Sequence, residues 1–365
     1  MVDPRVEKLA NLCVNYSVHV KPKENVVIQG SDLAFPLMHE LYKECLLAGA
    51  YPAILAWFDT SYTFFKYAKV HQLKYVHPID KFVVANMDAR ISIFGWRNPF
   101  ALSNVDPSKI RIRDAAWKEY EDIFQKREYE GTLKWCYMPF PVYSAAQEAS
   151  MALSEYEDFV YESCLVNKKD PIAEWKKIKR EQEKICGYLN KANEIRIVGE
   201  DTDLTFSVKG RKWLSSHGES NLPDGEVLTG PVENSANGTI RFTYPGIYAS
   251  REVEDISLTF KNGKVIKASA VESEDLLKEI LKVKNADRIG EAAIGTNYGI
   301  TRFTKEMLFD EKMGGTIHLA LGRSYFETGG LNQSGVHWDI LKDMKKDGEI
   351  YADEKLFYKN GKFII

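Results

Sequence analysis

The sequence predicts an α/β amino-terminal domain followed by an α+β domain with antiparallel hairpins, and three observations carry this reading. Short apolar runs in the first half are separated by segments of helical periodicity. A charged stretch containing Pro171, between Val166 and Trp175, interrupts that alternation. Beyond it, strand-like segments follow one another through tight turns. At 365 residues the chain is long enough for two domains. They are placed at residues 1–168 and 169–365.

Taken in order, NVVIQ (25–29) reads as a strand and residues 34–47 have apolar positions at helical spacing. YPAILAWF (51–58) reads as a second strand after Gly49-Ala50. KFVVAN (81–86) has strand-like content, but Val76-His77-Pro78 before it leaves it ambiguous. ARISIFGW (89–96) alternates with period two and ends at the Asn98-Pro99 turn signal. Strands separated by helical segments imply parallel crossovers. In the second half a charged amphipathic helix runs to about Asn193, and EIRIVGE (194–200) and DLTFSVKG (203–210) read as strands. SLTF and KVIKASA flank Asn262-Gly263, the strongest short-range hairpin signal in the chain, and a helix over 273–283 follows.

Composition excludes several functions. With 49 Lys plus Arg against 52 Asp plus Glu, the formal charge of −3 is too balanced for a protein that tracks phosphates, so no nucleic acid is expected as a partner. No apolar run approaches the ~20 residues of a membrane span, and the amino-terminal stretch has no unbroken apolar core. A soluble, cytoplasmic protein without a membrane partner is expected. The five cysteines are odd in number, widely spaced and without a C-x-x-C pair, which reads as reduced thiols serving as small core residues. There is no phosphate-binding glycine loop and no G-x-S-x-G elbow, so nucleotide binding and serine hydrolysis have no starting point. His19, His39, His71 and His77 lack clustered carboxylates and read as structural or solvated.

The second half carries the chemistry. In VHWDI (336–340), Val336, Trp338 and Ile340 fall on one face of a strand while His337 and Asp339 share the other. GTIHLALG (315–322) repeats the design, with His318 between the small residues Thr316 and Ala320, and Tyr325 lies just past its end. Histidine and carboxylate without cysteine suit zinc, cobalt or manganese, and two such histidines near one Asp suggest a two-metal site. The same alternation also describes a polar strand face on which His and Asp satisfy each other, and two strands alone supply too few ligands. Glu226, directly after Pro223-Asp224-Gly225, and Glu291, after Gly290 in a small apolar stretch, are the candidate additional carboxylates. A Glu after a turn is more often exposed than buried.

Four strings, NLPDGEVLTGP (221–231), IGEAAIGTN (289–297), HLALGRSY (318–325) and SGVHWD (334–339), resemble in order the signature segments of the aminopeptidase T and aminopeptidase S group of metallopeptidases. LCVNYSVHV (12–20), LYKECLLAGAYP (41–52) and residues 135–164 are similar to that family's amino-terminal domain, so the resemblance covers nearly the whole chain. It implies that the second half is a metallopeptidase catalytic domain holding two divalent metal ions per chain. The implied reaction removes the amino-terminal residue of short peptides with a free amino terminus, a metal-bridging hydroxide being the nucleophile. Carried over residue by residue, the implied metal ligands are Glu226, Glu291, His318, His337 and Asp339, and the family's catalytic tyrosine falls on Tyr325. A homodimer is implied as well.

For proton transfer to the leaving amine, Glu291 is one candidate and Glu219 or Glu233 are others. Only eighteen residues separate His318 from His337, which is short for the family and bears on the walls around the site. Three carboxylates, two divalent cations and one hydroxide cancel in charge, so such a cluster can be buried without a large desolvation cost. The other readings are a two-metal hydrolase acting on another amide or a phosphoester, a metal-free binding or scaffold protein, and an α/β nucleotide-binding enzyme.

Overall fold

The computed structural model describes residues 3–248 and 251–365, so Met1 and Val2 at the head of the amino-terminal stretch lie outside it. The chain forms two compact units. One runs to Ile172 and also takes in Gly218–Pro223, and the other comprises Ala173–His217 and Asp224–Ile365. The single boundary drawn at residue 168 from sequence does not include that excursion.

The first unit is built on a four-stranded sheet of β1 (Asn25–Ser31), β2 (Tyr51–Trp57), β3 (Ala89–Phe94) and β4 (Lys134–Pro139), in the order β2-β1-β3-β4. All three pairings are parallel. Val26, Val27 and Ile28 are consecutive and all buried, which requires cover on both faces of the sheet, as parallel sheets generally have. The helix Phe35–Leu47 supplies part of that cover through Leu37, Met38, Leu41 and Cys45. The ambiguous 81–86 run is helical, not extended. It belongs to the helix Pro78–Asn86, where Pro78 occupies the first turn and His77 Nδ1 accepts the Ile79 amide at 3.2 Å as N-cap. Pro at that position loses no helical hydrogen bond, so the triplet that obscured the sequence pattern is the helix start. All five cysteines are free and buried.

The excursion has a simple cause. Strand β4 ends the row of four strands, and an edge strand offers unpaired backbone groups. Tyr137 donates its amide to the Ser220 carbonyl at 2.8 Å and accepts the Leu222 amide at 3.0 Å, so residues 220–222 run alongside β4.

In the second unit all pairings between named strands are antiparallel. The five-stranded sheet consists of β5 (Leu214–Ser216), β6 (Glu226–Thr229), β7 (Ile289–Gly295), β8 (Thr316–Gly322) and β9 (His337–Asp343), in the order β9-β8-β7-β6-β5. An eight-stranded sheet includes Glu194–Gly199, Thr202–Ser207 and the hairpin Ser257–Lys261 with Lys264–Ser269. Both sheets send side chains into one core. Ile197, Phe206 and Leu258 come from the larger sheet, and Ile294, Leu319 and Trp338 from the smaller. The opposite face of the five-stranded sheet carries the histidines and carboxylates. Among the described residues no helix is long and apolar enough to cross a membrane.

The Asn262-Gly263 turn has positive φ at both residues, 51° and 80°, which a two-residue hairpin turn of the primed type requires. A Cβ at Gly263 would lie 2.0 Å from the Glu233 carbonyl oxygen. Gly263→Ala is therefore expected to destabilise the protein by at least about 1–3 kcal/mol, measured by thermal or denaturant unfolding.

Candidate metal centre

The register of the five-stranded sheet explains how distant residues meet. Glu291 on β7 stands opposite Ala320 on β8, which stands opposite Asp339 on β9, so the two carboxylates share a row with only a methyl group between them. His337 is opposite Gly322, and His318 is opposite Ala293. Glu226 opens β6 opposite Gly295. Each functional side chain thus has a glycine or alanine as a cross-strand neighbour, which leaves room above the sheet for all of them.

The five residues nominated from sequence converge. His318 Nε2 lies 3.4 Å from Glu291 Oε1, 3.4 Å from Glu226 Oε2 and 3.8 Å from Asp339 Oδ1. His337 Nε2 lies 3.3 Å from Glu291 Oε2 and 3.5 Å from Asp339 Oδ1. Glu226, Glu291 and His318 are buried, so the exposure expected of a Glu after a turn does not apply to Glu226. Strand β6 begins at Glu226 itself, and the whole of β6 is buried.

Both imidazoles are oriented from behind. His318 Nδ1 is 3.0 Å from the Glu311 carbonyl and His337 Nδ1 is 2.8 Å from the Arg323 carbonyl. A carbonyl only accepts, so Nδ1 carries a proton in each ring, and Nε2 faces the cluster. Burial alone would lower the His318 pKa. The Glu291 hydrogen bond and the charges of Glu226 and Asp339 outweigh it and hold the ring up at about 10. For His337 the same opposition, led by Asp339, ends at about 11. Burial pushes Glu226 up to about 8 against the pull of Lys312, whereas His337 overrides burial at Asp339 and holds it at about 2.

Two residues that the sequence reading missed complete the cluster. Glu311 forms a third potential donor group with His318 and Asp339, beside Glu226–Glu291–His318 and Glu291–His337–Asp339. Lys312 is fully buried, contacts Glu311 directly and lies 3.7 Å from Glu226 Oε1. Burial works against its charge, but Glu311, Glu226 and Asp224 overcome it and raise its pKa above the usual value. Neither residue sits in an alternating strand: they follow the short helix Met307–Asp310. The one local signal is the adjacent Glu-Lys pair just before GTIHLALG.

Tyr325 stands at the rim, its ring 5.2 Å from that of His337 at 61°. The residue keeps 44% of its surface exposed, yet burial of the phenol, then Glu291 and the other carboxylates, raise its pKa above the usual value. The hydroxyl therefore keeps its proton at neutral pH. The other candidate bases are not among those donor groups. Glu233 bonds Arg211 at 2.6 Å and accepts the Leu331 amide at 2.7 Å, and Glu219 belongs to the excursion of the first unit. None of the four first-half histidines joins the cluster.

The donors fit a divalent cation. Glu226 Oε2 and Asp339 Oδ1 are buried and have no hydrogen-bond partner, an expensive state that a cation would relieve. The donor set is imidazole and carboxylate without thiolate, which matches zinc, manganese or cobalt chemistry.

A two-unit α/β and α+β chain with such a cluster on a sheet face defines a metalloenzyme. The comparisons sharpen the class. The chain matches the thermophilic metalloprotease (M29) family over residues 2–363 and belongs to it. It is 27% identical to aminopeptidase PepS of Streptococcus thermophilus, over 99% of this chain and 98% of that protein. It is 26% identical to aminopeptidase T of Thermus thermophilus, over 73% of each. The structure of wild-type AmpT from Thermus thermophilus superposes with a TM-score of 0.85 at 20% identity, covering 99% of both chains. A 2,5-dihydroxypyridine dioxygenase from Pseudomonas putida shares the fold at a TM-score of 0.61 and 13% identity.

Removing Lys312 takes the ammonium away from the buried Glu226 and the partly buried Glu311. Lys312→Met is expected to lower the stability of the metal-free protein by about 3–5 kcal/mol, read from chemical denaturation.

Proposed function

We propose that this chain is a metal-dependent aminopeptidase that holds two divalent metal ions (zinc, cobalt or manganese) and releases the amino-terminal residue of short peptides. One observation carries the reading: the Glu291 carboxylate turns one oxygen to His318 and the other to His337. A single carboxylate is thereby shared by two donor groups, one completed by Glu226 and the other by Asp339. The names of the relatives support the exopeptidase assignment.

Metal ions held there would polarise the scissile carbonyl and lower the pKa of coordinated water toward ~7, supplying a nucleophile at neutral pH. The protein's residues do the rest. Glu226, Glu291, His318, His337 and Asp339 act as ligands, with Glu311 beside them. Tyr325 keeps its hydroxyl proton and donates it in a hydrogen bond to the oxyanion as the carbonyl becomes tetrahedral. Lys312 balances the carboxylate that Glu311 adds. Short peptides with a free amino terminus are the proposed substrates, and a cytoplasmic homodimer without nucleic-acid or membrane partners is the proposed form. The near-balanced charge supports the absence of a nucleic-acid partner.

Release of leucine from a leucyl peptide tests this directly. Chelation is expected to abolish it and zinc, cobalt or manganese to restore it, while the same peptide acetylated at its amino end resists cleavage. Cleavage of the blocked peptide, or turnover of phosphoesters instead, would refute the assignment. His337→Ala and Asp339→Ala are each expected to lose turnover with the fold retained, as judged by circular dichroism. Tyr325→Phe is expected to lower kcat by about 100-fold with little change in KM, from steady-state kinetics.

A further inference from the structure

Asn297 lies two residues beyond β7, is buried, and bonds to two other segments. Its Nδ2 donates to the Asp224 carbonyl at 2.8 Å, two residues before Glu226. Its Oδ1 accepts the Gly299 amide at 2.9 Å, which fixes the orientation of the side-chain amide. Its backbone amide donates to the Lys312 carbonyl at 3.0 Å, and its own carbonyl accepts the Gly314 amide at 2.8 Å. Those last two partners lie between Glu311 and the strand that carries His318. One residue therefore ties together the chain segments that deliver Glu226, Glu291, and Glu311 with His318.

The contact is close as well as bonded. Gly225, with φ of 130°, packs directly on Asn297, and a Cβ there would lie 2.6 Å from the Asn297 Cβ. The Thr296 amide adds a bond to the Gly225 carbonyl at 2.8 Å. The turn before Glu226 is thus clamped onto the end of the strand bearing Glu291. Three carboxylates, Glu226, Glu291 and Glu311, come from these segments, and their mutual repulsion favours splaying them apart. Backbone-directed bonds from a neutral side chain resist that splaying without adding charge.

We infer that Asn297 is a positioning residue of the metal centre, setting the spacing of the Glu226 and Glu291 carboxylates from behind. The inference rests on the metal-dependent reading above. Partners that orient ligands in this way typically contribute about 10–100-fold to metal affinity.

The test uses the full-length protein and zinc alone as the probe, with affinity measured by competition against a chelator, and the absorption spectrum of the cobalt-substituted form as a second readout. Asn297→Ala removes both side-chain bonds. Asn297→Asp is nearly isosteric, loses the donor to Asp224, and carries the test if the alanine variant does not fold. Asn190→Ala serves as a control, because Asn190 Oδ1 accepts the Trp213 amide at 2.7 Å in the same unit and its loss weakens the fold while leaving every bond of Asn297 in place. Zinc affinity is expected to fall by about 10–100-fold in both Asn297 variants, with a changed cobalt spectrum, and to stay at the wild-type level in Asn190→Ala. A folded Asn297 variant with wild-type zinc affinity and spectrum would overturn the inference, as would an equal loss in the control. A wild-type protein that binds no zinc would instead remove the metal-dependent reading itself.

Discussion

The structure is organised around the need to hold four carboxylates, two buried and two partly buried, in one place. Like charges at these separations repel strongly, and burial raises the cost of each. The chain answers with two imidazoles, one buried ammonium, and a glycine or alanine opposite each of Glu226, Glu291, His318, His337 and Asp339 on a neighbouring strand. The sheet register does most of the spatial work: Glu291, Ala320 and Asp339 stand in one row because three antiparallel strands are aligned there. A slip of one residue in β8 or β9 would turn His318, or His337 and Asp339, into the apolar core, so the core packing of Leu319, Trp338 and Ile340 also fixes the geometry of the cluster.

Much of this was legible in the sequence where side-chain periodicity carries it. VHWDI and GTIHLALG show period-two alternation, and both are strands with the expected faces: one face joins the apolar core and the other carries the histidines and Asp339. The Asn262-Gly263 turn was equally readable, since few dipeptides accept two positive φ values in succession. The 81–86 run was not, because a short apolar segment fits strand and helix alike, and the deciding residues, His77 and Pro78, act through capping, not periodicity. Glu226 and Glu291 stood out only weakly, as a Glu after a turn and a Glu in a small apolar stretch, and it was the resemblance to a known family that nominated them as ligands. Their local sequence alone gives no sign of burial.

Glu311 and Lys312 show where sequence reasoning stops. They sit outside any periodic element, and their importance lies in partners more than eighty residues away for Glu226 and several residues on for His318. Their omission left the charge count intact by accident: an extra carboxylate and an extra ammonium cancel, so the neutral cluster expected from five ligands is equally neutral with seven residues. Electroneutrality therefore constrains the sum of such a centre and says little about its membership.

The pairing of residues 220–222 with β4 has a consequence for how the protein can be taken apart. The first unit is not a contiguous piece of chain, because the strip that lines its sheet is borrowed from the middle of the sequence. A fragment cut after Ile172 would present β4 with open amide and carbonyl groups, a template for self-association in solution. Modular exchange of either half between relatives would meet the same obstacle, so the two halves form a single heritable unit even though each has a core of its own.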